Sequence, residues 1–88
     1  MSYIIKFESK AQEELDKLPQ EIIQRIVDKL EEVIKNPEHF LEKLTGMLEY
    51  KIRVGDYRVI LLFDKANQKL RIQAVGHRKN IYKRYKTD

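Results

Sequence analysis

Apolar and polar positions alternate by two from residue 48 to residue 54, where Gly55-Asp56 follows. Tyr50, Ile52 and Val54 sit between polar neighbours, and a second β-rich run containing Tyr57, Val59, Leu61 and Phe63 follows at once. A Gly-Asp loop between two such runs predicts a tight hairpin, with glycine supplying the positive φ that the turn needs. The loop length also sets the register: Val54 opposite Tyr57, Arg53 opposite Arg58, Ile52 opposite Val59 and Lys51 opposite Ile60. Leu48, Tyr50, Ile52, Val54, Tyr57, Val59, Leu61 and Phe63 then share one face. The other face carries Lys51, Arg53 and Arg58. Like charges directly opposite one another cost a few tenths to roughly 1 kcal/mol. The cluster is either a solvated face with flexible side chains or a surface that binds an anion.

Upstream of the hairpin, residues 2–7 read as a first strand with Tyr3, Ile5 and Phe7 on one face. Ser9 and Gln12 have the spacing of a capping box, and Ala11, Leu15 and Leu18 form the stripe of a short helix that Pro19 stops. Ile22, Ile23, Ile26, Val27, Leu30, Val33 and Ile34 recur with helical period in a second helix that ends before Asn36-Pro37. Glu13, Glu14, Glu21, Asp28, Glu31 and Glu32 are expected on the outer, acidic surface of this helical hairpin. Residues 40–46 make a connector in which Leu41 and Leu44 pack. Downstream, a loop from Lys65 to Gln68 places Leu70, Ile72 and Ala74 on the core face, and Arg71, Gln73 and Val75 with the cations. The last strand runs back toward Gly55-Asp56, so Gly76, His77 and Arg78 should emerge beside Arg53 and Arg58. The pattern is one α+β domain over residues 1–88, β-α-α-β-β-β, with a helical hairpin packed on a mainly antiparallel twisted sheet.

Charge changes the picture, because the net +4 is unevenly spread. Residues 1–46 hold 7 Lys/Arg against 10 Asp/Glu, and residues 47–88 hold 11 against 4. A basic half on a small domain is the electrostatic footprint of a polyanionic partner. The tail at residues 77–86 interleaves Arg78, Lys79, Lys83, Arg84 and Lys86 with Tyr82 and Tyr85, a composition suited to stacking bases while cations meet phosphates. Alternatively, Ile81 and Tyr82 pin this tail to the sheet. The chain has no cysteine, in keeping with a reducing cytoplasmic setting. It shows neither a membrane-length apolar run nor the apolar region of a secretory signal.

Among sites for chemistry, Walker, Rossmann and zinc spacings and the G-x-S-x-G elbow are absent. His39 has no ligand-spaced neighbour that suggests a metal. What remains is Lys51, Arg53, Arg58, His77, Arg78 and Tyr82. Attack of a ribose 2′-hydroxyl on the neighbouring phosphate concentrates negative charge on phosphate oxygens, and fixed guanidinium donors stabilise it with no cofactor. A lysine, His77 or Tyr82 is then the candidate for proton transfer.

Gly46, the run Tyr50-Lys51-Ile52-Arg53, the run Gly55-Asp56-Tyr57-Arg58 and the stretch from Gly76 through His77, Arg78 and Asn80 to Tyr82, on a β-α-α-β-β-β layout, resemble the RelE toxins of the RelE/ParE superfamily. The resemblance covers essentially the whole chain. It implies the toxin of a type II toxin–antitoxin module that enters the ribosomal A site and cuts mRNA by 2′-hydroxyl attack, a metal-independent endoribonuclease. It implies a RelB-type antitoxin, with the ribosome and A-site mRNA as the other partners. Lys51 and Arg53 match the family's basic pair, Arg58 the arginine on the transition-state phosphate, Arg78 a proton donor or charge stabiliser, and Tyr82 the tyrosine near the attacking hydroxyl. Arg53 stands where the type example has lysine. His77 replaces a lysine of some members, either as a proton shuttle or as a helper in folding the turn. RNA contacts are expected from Lys51, Arg53, Arg71, Lys79, Lys83, Arg84 and Tyr85. The ParE-like branch, which shares the fold and poisons DNA gyrase, is the alternative, and a non-catalytic basic module that binds RNA or antitoxin is a third.

Overall fold

A computed structural model describes residues 3–85. Ser2, at the start of the expected first strand, and Lys86, in the expected basic tail, lie outside them. Five strands form one sheet, β1 (Ile4–Phe7), β2 (Glu42–Lys43), β3 (Tyr50–Val54), β4 (Tyr57–Asp64) and β5 (Lys69–His77), in the order β1-β5-β4-β3-β2. Only the β1–β5 pairing is parallel. The helices are α1 (Ser9–Asp16), α2 (Gln20–Val33), the one-turn α3 (Pro37–Phe40) and α4 (Arg78–Arg84). No helix among the described residues is long and apolar enough to cross a membrane.

The hairpin forms in the expected register, with Arg53 opposite Arg58 and Val54 opposite Tyr57. Gly55 takes φ +60°, as the two-residue turn requires. Ala11 and Leu15 of α1 and Ile26, Leu30 and Val33 of α2 are buried on Ile52, Val54, Val59, Leu61, Leu70 and Ile72, with Tyr3, Ile5 and Phe7 packed alongside. Three local expectations fail. Leu48 is 78% exposed, because the strand begins only at Tyr50. Val27 lies at the solvent margin of its helix. Ser9 and Gln12 form no capping box: Glu8 is the N-cap without a side-chain cap bond, and the Gln12 amide donates to Asp16 one turn on.

The largest departure is in β5. Leu61 pairs with Ile72 but Ile60 pairs with Ala74, so Gln73 is an extra residue, a β-bulge. Because side chains alternate by two, one inserted residue exchanges the faces of everything after it. Val75 therefore joins the main core, and Ala74 moves to the opposite face. There it builds a second, smaller cluster with Leu44, Ile60 and Ile81, flanked by Met47 and Tyr85. That cluster seats α4, an element absent from the sequence reading. Ile81 is fully buried, and Lys83 and Arg84 in the last turn complement the helix dipole.

Candidate functional site

The face of the sheet away from α1 and α2 carries Lys51, Arg53 and Arg58 beside the small cluster under α4. Lys51 and Arg58 are each only 4% exposed. Taking a cation out of water costs several kcal/mol unless polar partners replace the solvent. The hairpin turn supplies them to Arg58: its Nη1 donates to the carbonyl oxygens of Gly55 and Tyr57, both at 2.9 Å. These carbonyls also explain how Arg53 and Arg58 tolerate facing each other, since one of the two charges is folded back into the turn.

Anchoring Nη1 fixes what the rest of the guanidinium can do. Nε and Nη2 form the other edge of its planar fork, the pair of parallel donors that fits two phosphate oxygens. Nη2 lies 3.4 Å from the Tyr82 hydroxyl, and Nε is buried with no hydrogen-bond partner among the described residues. The Tyr82 ring centre is 6.0 Å from the guanidinium carbon. Arg58 thus presents a bidentate edge that Tyr82 covers. A buried donor without an acceptor is costly, by about 1–3 kcal/mol, and an anion arriving at this edge relieves that cost.

The remaining residues divide clearly. Arg78 is exposed at the start of α4, and its backbone N–H donates to the Asp56 carbonyl at 2.8 Å, tying helix to hairpin turn. The expected convergence of the two basic segments is therefore present in the backbone, with Gly76 opposite Arg58. Arg53 is exposed on β3 beyond its two-residue pairing with β2, and lines grooves toward α2 with Arg25, Lys29 and Glu32. Lys79 and Lys83 are exposed on α4.

His77 does not join the cations. The bulge turns it to Tyr57, ring centres 5.5 Å apart, and its Nδ1 accepts the Lys79 N–H as the N-cap of α4. The contact caps the first turn of α4. Arg71 is spent on Glu8, at 3.3 Å, and Arg84 on Glu14, at 2.6 Å. Tyr85 is half-buried against the small cluster. Glu14 is not on the outer acidic surface, because it points at β5 and α4. His39 stacks edge-on against Phe40, and no three carboxylates or imidazoles gather as metal ligands among the described residues.

The profile described as "ParE toxin of type II toxin-antitoxin system, parDE" matches residues 5–82. The chain belongs to this toxin family. A comparison with curated protein sequences gives no match. Among solved structures, it is similar to the RelBE2 toxin–antitoxin complex of Mycobacterium tuberculosis, with 25% identity and TM-score 0.82 over 89% of this chain and 100% of that one. A mutant of the E. coli RelE toxin in the free state matches at 28% identity and TM-score 0.78, over 91% and 87% of the two chains. The archaeal RelE–RelB complex of Pyrococcus horikoshii matches at 27% and 0.71, over 89% and 97%. The chain is a toxin of the RelE/ParE superfamily, with that superfamily's α+β fold.

Proposed function

We propose that this toxin is a metal-independent, ribosome-dependent endoribonuclease that cuts mRNA in the ribosomal A site and so arrests translation. The observation that carries the reading is the buried Arg58, whose bidentate edge, with Nε unpartnered, is covered by Tyr82 on a basic face. In the step proposed, the ribose 2′-oxygen bonds to the adjacent phosphorus and the bond to the 5′-oxygen breaks. A 2′,3′-cyclic phosphate and a 5′-hydroxyl result, the first proton leaving the 2′-oxygen and another arriving on the 5′-oxygen. Arg58 holds two non-bridging oxygens as their charge grows. Tyr82, which covers Arg58, lies where the attacking hydroxyl arrives. Arg78, exposed above the turn, serves the leaving oxygen as donor or charge stabiliser. Lys51 and Arg53 add positive potential from β3, while Lys79 and Lys83 steer the RNA backbone.

A RelB-type antitoxin is the proposed partner, in keeping with RelE relatives solved together with RelB. An acidic segment that folds on binding suits the basic half of this chain. The family profile, named for ParE, favours the second reading, a gyrase poison. Primer extension on mRNA in a translation mixture separates them. Cuts within codons that vanish without ribosomes support the nuclease, and supercoiling arrest over intact mRNA supports the gyrase reading.

A further inference from the structure

β1 pairs with β5 only as far as Ile72, so beyond the bulge the outer edge of β5 has no strand beside it. Val75 would leave its N–H unpaired there, and Glu14 of α1 fills the gap: its Oε1 accepts that N–H at 3.0 Å. The same carboxylate reaches α4 through Oε2, which accepts from Arg84 Nη1 at 2.6 Å. One side chain therefore joins the first helix, the bulged strand and the last helix. Arg84 follows Tyr82 by two positions, about 200° around an α-helix. While Arg84 is drawn to Glu14 on one side of α4, Tyr82 is turned to Arg58 on the other, and Ile81 anchors the helix between them.

We propose that Glu14 and Arg84 are positioning residues, a clamp that fixes the rotation of α4 and thereby holds Tyr82 over the Arg58 guanidinium. Glu14 is suited to this because one of its oxygens is already bound to the sheet backbone, which leaves the other as a fixed point for the helix. Lys17, His77 and Asn80 line the same groove between α1 and α4, and none of them supplies a carboxylate. The proposal assigns Arg84 a role other than RNA contact, and its link to catalysis rests on the nuclease reading above.

The test uses Glu14→Gln, which keeps an acceptor for Val75, Arg84→Met, which keeps length without charge, and the double variant. The chain has five tyrosines, so 3-fluorotyrosine labelling gives few ¹⁹F resonances, and Tyr82→Phe identifies the one needed. Each single variant is expected to shift or broaden the Tyr82 resonance while circular dichroism stays native. Each should lower the single-turnover cleavage rate at saturating ribosome complex about tenfold, a small misplacement being enough for such a loss. The half-saturating concentration should stay unchanged, and the double variant should be no worse than the singles. An unmoved Tyr82 resonance in both single variants overturns the clamp. So does a loss confined to ribosome affinity, which would make Arg84 an RNA contact. If the wild type cleaves no mRNA but the resonance responds as described, the clamp stands and the nuclease reading falls.

Discussion

Arg58 holds a full positive charge at 4% exposure, and among the described residues no carboxylate pairs with it. Such a group is a poor way to stabilise a fold, since a buried cation is often replaced by an apolar side chain of similar size at little cost. Arg58→Met is therefore expected to unfold in urea within about 1 kcal/mol of the wild type, while cleavage falls by at least about 100-fold through loss of the phosphate donors. A large loss of stability would make Arg58 structural. Arg58→Ala and Arg78→Ala should likewise relieve growth arrest in cells while the purified proteins stay folded. Arg58 was legible in the sequence because the Gly55-Asp56 loop fixes which side chains share its face. Glu14, Arg84 and Arg71 were not: their ion pairs join residues more than sixty positions apart, and a cation count does not reveal which cations are already matched.

Among the elements, the hairpin was readable to the residue and the last strand only in part. The β4–β5 loop falls at Lys65 to Gln68 as expected, Asp64 facing Lys69. The bulge at Gln73 leaves no mark in the alternation, because Ala74 and Val75 are both apolar and fill either face equally well. From that one residue follow the inward Val75, the second cluster and the turn of His77 away from the cations. Deleting Gln73 removes the extra residue and leaves Ile72, Ala74 and Val75 on the faces they already hold. In urea titration it should therefore destabilise far less than inserting an alanine after Gln73, which exchanges those faces. Signals for α4 were present in the i, i+4 pair Ile81 and Tyr85, but the many cations between them read as a tail. Gly55→Ala should cost about 1–2 kcal/mol for an L-residue held in the left-handed region. The nearby Arg25 guanidinium, 2.6 Å from the new methyl position, can swing aside as the end of a flexible chain. In the β4–β5 turn, the Asn67 side chain and then its backbone N–H hold the Asp64 carboxyl below its ordinary value of 3.8. A depressed carboxylate stabilises above its unfolded pKa, and that contribution fades as pH falls through the lowered folded value. Acid titration of wild type against Asp64→Asn should show the wild type's advantage disappearing below that ordinary value and unchanged between pH 5 and 7.

At the scale of the whole molecule, the two halves of the chain take different faces of the sheet. The acidic first half supplies the helices that cover one side, and the basic second half lines the other. Two of its arginines are neutralised by Glu8 and Glu14, so the working positive field comes chiefly from Arg53, Arg58, Arg78, Lys79 and Lys83. Association with a ribosome–mRNA complex should accordingly weaken steeply with added salt, and Lys79→Ala with Lys83→Ala should flatten that slope without changing the cleavage rate at saturation. The central claim is that a guanidinium buried in the hairpin and a tyrosine carried by the last helix act together on a ribose-phosphate. The most direct measurement is primer extension on mRNA in a translation mixture with wild type, Arg58→Met and Tyr82→Phe. Wild-type cuts within codons that require ribosomes, and that are lost in Arg58→Met and strongly reduced in Tyr82→Phe, are the predicted result; intact mRNA with the wild type, or cuts undiminished in Arg58→Met, would contradict it.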